Sequence, residues 1–198
     1  MQDVFFRVGG AVAGKATNSL VVNSNDVIVD DIWAWRADHG DGVGWTVNTA
    51  DTGVLVNGND VIATGLFSEH FQKYDVIWNG ERGKTIFFQN EMPYDVPSQS
   101  AWSSAAGVNG WAAYKVGAGV QVHQGWGLGS YCFFNIGGVN THIDAARAFE
   151  VPDTAGVKLH DLLTVSLGGN GTISHVVNDT GAAAQGTATQ PVDVLSYP

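Results

Sequence analysis

The sequence predicts an all-β protein built as a single-stranded, right-handed parallel β-helix. Two observations on composition support it: the chain has 26 glycines among 198 residues, and only 14% of its residues are charged. Glycine suits turns and weakens helix interiors, so this composition favours short strands joined by turns. The third observation is a repeat, because NDVI begins at residue 25 and again 34 residues later, at residue 59.

The repeated units indicate how the strands are arranged. A second alignment sets GLFSEH over FFQNEM, which places Glu69 22 residues before Glu91. Units of variable length with several short strands are typical of a solenoid. A β-sandwich is the competing architecture, because it has similar strands and turns. Asn and Asp at the start of each unit favour the solenoid, where their side chains satisfy turn backbone groups.

The remaining features of organisation follow from this reading. The right hand comes from the general crossover rule rather than from particular residues. The segment DAARAFEV, residues 144–151, allows one helical turn at most. No linker or charge block divides the chain, so residues 1–198 are predicted to form a single domain. The start, MQDVFFRVGG, has no signal-peptide pattern and reads like the middle of a longer protein.

An open first coil at that start carries a further expectation. Val4, Phe5 and Phe6 would leave an apolar strand edge with little charge to protect it. Open strand edges pair with other chains unless they are capped. We therefore expect the first coil to dock onto another copy of the chain or onto a separate partner half.

Charge excludes several classes of partner. The net charge is −10 and the chain has only nine Lys and Arg residues, so nucleic acid and anionic membranes are poor partners. A neutral polysaccharide meets no such objection. The six histidines form no zinc motif, and the sequence predicts neither a metal nor a cofactor. Cys132 lies among apolar residues and is predicted to be a small buried side chain rather than a nucleophile.

Two carboxylates stand out in the repeat. Strand alternation would place Thr85, Phe87, Gln89 and Glu91 on one face of their strand. If the 22-residue alignment is one coil, Glu69 stacks on Glu91 at about 4.8 Å, the spacing of paired strands. Two acids at that distance raise one pKa, and a carboxyl protonated near neutral pH is what a general acid requires. Stacked acids on a solvated face, with no catalytic role, are the alternative.

The motifs around these acids resemble those of glycoside hydrolase family 55, the exo-β-1,3-glucanases or laminarinases. The segments SEHFQKYDVIWNG and TIFFQNEMPYDVP are similar to that family's E-H motif and to the Q-x-E-x-P-Y motif about one coil later. GWGLGSYCFF and QDVFFRVGG are similar to two further stretches. The resemblance implies the C-terminal half of two tandem, pectate-lyase-like β-helices, with inverting, exo-acting hydrolysis of β-1,3-glucan between them.

The resemblance also implies roles for individual residues. Glu91 would be the proton donor, and Glu69 a second carboxylate that tunes it or places water. Stacked acids would lie near the retaining separation of about 5 Å rather than the inverting range of about 6.5–9.5 Å, so Glu69 is not taken as the base, which stays unassigned. The residues expected to bind substrate are Gln89, Tyr94, His70, Trp78, Trp126 and Tyr131.

Two functions remain open from the sequence. The first is a secreted, extracellular glycoside hydrolase that acts on β-glucan. Trp33 and Trp35 share a strand face, and one or two of the seven tryptophans are expected to contact sugar, with core or turn packing as the alternative for each. The second is a carbohydrate-binding or purely structural β-helix module that lacks its partner half and has no activity. A polysaccharide lyase is a weaker third possibility, because it would need a basic cluster against uronates.

Overall fold

The structure, a computed structural model, describes residues 1–135, 142–168, 170–186 and 190–198. Within these ranges the protein is all-β, as predicted, with one short 3-10 helix at Gln99–Ala101. The strands are β1 (Gln2–Val8), β2 (Ala16–Val22), β3 (Ile28–Arg36), β4 (Ala50–Val56), β5 (Ile62–Glu69), β6 (Val76–Trp78), β7 (Gly83–Glu91), β8 (Ser103–Ala105), β9 (Val108–Asn109), β10 (Tyr114–Val116), β11 (His123–Cys132), β12 (Ile143–Ala145), β13 (Phe149–Glu150), β14 (Val157–Ser166), β15 (Gly171–Ile173), β16 (Ala184–Gln185) and β17 (Val192–Tyr197).

Two sheets dominate the architecture. One has seven strands in the order β1-β3-β5-β7-β11-β14-β17, and the other has five in the order β13-β10-β6-β4-β2. From β1 to β7, successive strands alternate between the two sheets, and every pairing within them is parallel except β14 with β17. A β-sandwich is built from antiparallel neighbours, so this pairing excludes the competing architecture.

Both predicted repeat spacings are confirmed by the strand register. Ile28 pairs with Ile62 between β3 and β5, and Phe67 pairs with Gln89 between β5 and β7. Asparagines stack at one turn of the successive units: Nδ2 of Asn57 donates to Oδ1 of Asn23 at 2.8 Å, and Nδ2 of Asn79 donates to Oδ1 of Asn57 at 3.0 Å. The turn residues therefore bond to one another across units, as their position in the repeat indicates.

A column of residues with left-handed backbone crosses the seven-stranded sheet. Six strands each contribute one residue with a positive φ, and these residues are aligned across the sheet. For example, Thr64 pairs with Ile86 and Leu66 pairs with Phe88, so the residues at positions 65 and 87 lie next to each other. Each such residue shifts the alternation of side chains along its strand by one position. The six residues are Asp3 (55°), Asp31 (52°), Gly65 (59°), Phe87 (63°), Gly127 (64°) and Asp161 (54°).

The left-handed residue in β7 changes which of its side chains share a face, compared with the prediction. Phe88 is 1% exposed and Phe87 is 55% exposed, so one is in the core and one outside, as expected. Thr85, however, does not share a face with Phe87 and Gln89. It points inward, where its hydroxyl lies 2.7 Å from the Tyr114 hydroxyl. The prediction for Thr85 assumed regular alternation, which the left-handed residue at position 87 interrupts.

The core lies between the two large sheets and is continuous along the described chain. It contains Leu66, Phe88 and Val76, together with a buried polar group in which Nε2 of His123 lies 3.0 Å from the Tyr114 hydroxyl. Burial lowers the pKa of His123 to about 3, so this imidazole is neutral at ordinary pH. Cys132 is buried, as predicted, and burial raises the pKa of its thiol.

Two smaller findings complete the fold. The segment that includes residues 144–151 contributes to the strands β12 and β13 and contains no helical turn. In the described residues, no helix has the length and the apolar character that crossing a membrane would require.

Candidate active site

Glu69 and Glu91 are the last residues of two neighbouring parallel strands, β5 and β7. The register that pairs Phe67 with Gln89 places the two acids side by side at one edge of the seven-stranded sheet. A backbone hydrogen bond of 2.8 Å from the His70 amide to the Glu91 carbonyl holds the strand ends together. The predicted stacking of these acids is therefore present in the structure.

Glu69 is the more deeply buried of the two acids. Its residue is only 8% exposed, and Nε1 of Trp33 donates a hydrogen bond of 2.9 Å to its Oε2. Burial, followed by the charge of Glu91, raises the pKa of Glu69 to about 7, while hydrogen bonds from Trp33 and Gln89 act in the opposite direction. One pKa rises, as the repeat predicts. The pair consequently holds a proton close to neutral pH.

Glu91 is the acid that reaches the surface. Its side chain is 29% exposed, and its Oε2 accepts a hydrogen bond from the Tyr94 hydroxyl. Burial and this hydrogen bond raise the pKa of Tyr94, so the hydroxyl stays protonated and remains a donor. Nε2 of His70 lies 3.8 Å from the same carboxylate oxygen.

His70 has one tautomer that fits its surroundings. Its Nδ1 lies 3.1 Å from the Met92 carbonyl oxygen, and a carbonyl can only accept, so Nδ1 carries the proton. Burial lowers the pKa of His70, which favours the neutral ring. Nε2 therefore presents a lone pair towards Glu91.

The loop after Glu91 is fixed by a buried arginine. Arg36 is 1% exposed and holds both carboxylate oxygens of Asp95, from its Nη1 at 2.9 Å and its Nη2 at 2.7 Å. The same guanidinium donates to the His70 carbonyl at 3.2 Å. Bidentate pairs of this kind restrict geometry as well as adding energy. Together with Pro93 and Pro97, which fix φ, the pair holds Tyr94 against Glu91.

A pocket of about 480 Å³ opens beside Glu69. The Trp33 ring stacks on Trp35 at 5.4 Å, and Phe5 packs edge-on against Trp33 at 4.4 Å. Aromatic faces beside a carboxyl and an amide are a lining that suits a pyranose ring, with apolar contact and directed hydrogen bonds. The lining residues are Asp3, Val4, Phe5, Asp31, Trp33, Phe67, Glu69 and Gln89.

Most of the predicted site residues lie around the two acids, and two of them, Glu69 and Gln89, line the pocket. Gln89 lines the pocket, and His70 and Tyr94 contact Glu91. Tyr131, on β11, is the register partner of Glu91 on the side away from Glu69. Arg36 and Asp95 were not among the predicted site residues. Their one signal in the sequence is the arginine that ends the strand segment IVDDIWAWR.

Two predicted substrate contacts lie away from both acids. The prediction for Trp78 is wrong, because Trp78 is 0% exposed, lies on β6 of the other sheet and packs against His123 in the core. Trp126 stacks on His160 at 6.0 Å and pairs with Ile86, on the far side of the left-handed column from Glu91. Its sequence neighbours resemble a family motif, but its side chain is outside the pocket lining.

Replacing Glu69 by Gln should change how stability depends on pH. The pKa of Glu69 is raised from 4.5 to about 7 in the folded state, so its stabilising contribution is complete below pH 4.5 and is lost as the pH rises through 7. The loss amounts to about 3 kcal/mol. Gln does not titrate, so the Glu69→Gln variant does not undergo this loss. Its free energy of unfolding should therefore rise relative to that of the parent between pH 5 and pH 8.

Denaturant titration of both proteins across that pH range measures the effect. Glu150→Gln is the matched control, since Glu150 pairs with Lys115 on the other sheet. A stability difference between Glu69→Gln and the parent that does not vary with pH would contradict the raised pKa of Glu69.

Comparison with known proteins shows which proteins this chain resembles. Residues 1–91 match the LAM55 pectate lyase-like domain. Over all 198 residues the chain is 58% identical to an exo-β-1,3-glucanase from Streptomyces sp. (strain SirexAA-E / ActE), and it covers 32% of that protein. The predicted resemblance to glycoside hydrolase family 55 is confirmed. The similarity extends over the whole chain, beyond the motifs from which it was first inferred.

Solved structures agree with the family 55 resemblance. The structure of sacteLam55A from Streptomyces sp. SirexAA-E matches with a TM-score of 0.94 at 57% identity, covering 98% of this chain and 35% of that one. A glutamate-to-alanine variant of sacteLam55A in complex with glucose matches with a TM-score of 0.93 at 55% identity, covering 98% of this chain and 34% of that one. The chain thus spans about a third of the length of these relatives.

Proposed function

We propose that this chain carries the acid catalyst of a glycoside hydrolase that cleaves β-1,3-glucan, with Glu91 as the general acid. The observation that carries the proposal is the coupled pair of Glu69 and Glu91 beside a pocket lined by aromatic rings. A relative that is 58% identical is an exo-β-1,3-glucanase, and a structure of a related variant holds glucose. Both the chemistry and the similarity favour a neutral glucan as substrate.

The two acids have different roles in this proposal. Glu91 is the more exposed, so it is the one that reaches the glycosidic oxygen and gives it a proton as the bond to the sugar breaks. The carboxylate that results keeps the hydrogen bond from Tyr94. Glu69 is buried and holds a proton up to about pH 7, so it limits the charge next to Glu91 before the transfer. The base that activates water stays unassigned.

The architecture proposed for this function is a right-handed parallel β-helix of the pectate-lyase-like kind, forming a single domain. Strands that alternate between two parallel sheets support the solenoid, and the crossover rule supports the hand. We further propose that the chain is one half of a two-β-helix arrangement and acts outside the cell, where its polymeric substrate is found. The relatives are about three times longer, which leaves room for a second half.

A second function is compatible with a chain that spans about a third of the length of its relatives. A carbohydrate-binding module without activity would keep the aromatic pocket and would lack groups that the rest of the relatives supplies. In that case the protein binds glucan and does not hydrolyse it.

Release of reducing sugar from laminarin by the purified chain tests the proposed function. We expect glucose from laminarin and no product from cellulose or xylan, since the proposed substrate has β-1,3 linkages. The Glu91→Gln variant is the control for contaminating activity. Binding of laminarin without any release would support the module instead.

A further inference from the structure

Phe87 is the exception in the left-handed column of the seven-stranded sheet. The other five members are Asp or Gly, which tolerate a positive φ, whereas Phe87 has a φ of 63°. A bulky residue in this region of backbone space is a true outlier. Its ring is also 55% exposed, so core packing does not account for it. Neither the backbone nor the core favours an aromatic side chain at this position.

The ring occupies a particular place in the site. Phe87 lies four residues before Glu91 on β7 and packs edge-on against Phe67 at 5.8 Å, with an interplanar angle of 69°. Phe67 lines the pocket that contains Glu69. The other side of Phe87 lines a second hollow of about 190 Å³ that also contains Gln89 and Tyr131. Gln89 therefore lines both hollows, and Phe87 lines the second while packing against Phe67 of the first.

The second hollow is next to the proposed acid. Tyr131 is the register partner of Glu91, so the hollow lies on the opposite side of Glu91 from Glu69, along the direction in which the strands stack. Neighbouring strands in a sheet are about 4.8 Å apart, which is close to the length of one sugar ring. Two adjoining sugar units would thus extend across β5, β7 and β11, with Gln89, which lines both hollows, at their junction and Phe87 beside the second unit.

We propose that Phe87 is a specificity-determining residue whose ring contacts the glucosyl unit next to the one held in the Trp33 and Glu69 pocket. This inference rests on the proposed glucanase function, because the ligand is a β-1,3-linked glucan. The left-handed backbone turns the ring outward while Phe88, the next residue, stays in the core. The ring then offers an apolar surface to the C–H groups of a pyranose.

Binding of laminarioligosaccharides by calorimetry tests the role of Phe87. All measurements use the Glu91→Gln background, which prevents hydrolysis. We expect Phe87→Asn to raise the Kd for laminaritriose by about tenfold or more, the effect of losing one aromatic contact, and to leave the Kd for glucose unchanged. Phe87→Tyr should bind laminaritriose like the parent, because it keeps the ring.

Two controls separate substrate contact from a structural role. Asn tolerates a left-handed backbone, so Phe87→Asn should keep the Tm of the parent. Ile86→Asn replaces the exposed neighbour on the same strand, outside both hollows, and should leave the Kd for laminaritriose unchanged.

Several results would overturn the inference. An unchanged Kd for laminaritriose in Phe87→Asn would show that the ring does not contact this ligand. If the affinity is unchanged while the Tm is lower or the sedimentation coefficient is altered, the ring packs against protein instead. Absence of laminaritriose binding by the parent would also overturn it. If the protein with Glu91 intact binds laminaritriose but releases no glucose, the hydrolase proposal fails, and the Kd values still decide the role of Phe87.

Discussion

Replacing Glu91 by Gln is expected to lower kcat for laminarin hydrolysis by about 10²–10⁴-fold, the contribution typical of a general acid. Gln has nearly the same shape and still accepts the hydrogen bond from Tyr94, but it cannot give a proton to the glycosidic oxygen. Laminaritriose should therefore still bind to the variant. Initial rates and calorimetry on the same preparation measure the two effects separately.

Gln substitutions at two other carboxylates show whether the loss of kcat is specific to Glu91. Glu150→Gln removes a carboxylate on the opposite sheet and should leave kcat unchanged. Glu69→Gln should move the pH–rate profile more than it changes substrate binding, because it removes a group coupled to Glu91 with a pKa of about 7. A kcat that is unaffected in Glu91→Gln would exclude Glu91 as the acid. An identical pH profile in Glu69→Gln would mean that the two acids do not interact.

The second large effect concerns stability, and it contrasts two adjacent phenylalanines. Phe88 is 1% exposed, and its ring packs against Tyr114 at 5.3 Å and Phe149 at 6.4 Å. Phe88→Ala should lower the free energy of unfolding by about 3–5 kcal/mol, since it leaves a cavity between the sheets. Phe87→Ala removes a ring that is 55% exposed and should cost far less.

Urea titration compares the two alanine variants with the parent. The midpoints should fall in the order parent, Phe87→Ala, Phe88→Ala, with similar slopes, because the surface exposed on unfolding hardly changes. Small and equal losses in both variants would mean that β7 does not pack against the core as described.

The repeat explains why much of the fold could be predicted from the sequence. Spacings of 34 and 22 residues, seen in NDVI and in the Glu69 and Glu91 segments, correspond to real strand pairs. In a parallel solenoid, neighbours in space lie one unit apart in sequence, so self-similarity carries information about contacts. The pairing of the two acids and the stacked asparagines follow from the same property.

Other features depend on contacts or backbone angles that no repeat encodes. Arg36 and Asp95 are 59 residues apart, and their pairing depends on how a loop folds back. Trp78 was expected near substrate and lies in the core, because its strand belongs to the other sheet. The prediction of which face Thr85 occupies was wrong, because the left-handed residue at position 87 shifts the alternation of side chains along β7. Which of two stacked acids holds the proton depends on burial, which spacing alone does not reveal.

The unequal unit lengths have an evolutionary consequence. Bonds between equivalent positions of adjoining units join residues 34, 22 and 40 apart, as in Thr64 with Asp30, Asn79 with Asn57 and Ser130 with Asn90. The register of the sheet is the same at each step, so the differences in length lie in the connections. Residues can be inserted or deleted there without changing which side chains meet in the core. The longest connection, between β7 and β11, begins at the loop that holds Tyr94 against Glu91. Proteins that evolve from such a fold can therefore alter what they bind by lengthening or replacing that one connection, while the strands that carry the acids stay unchanged.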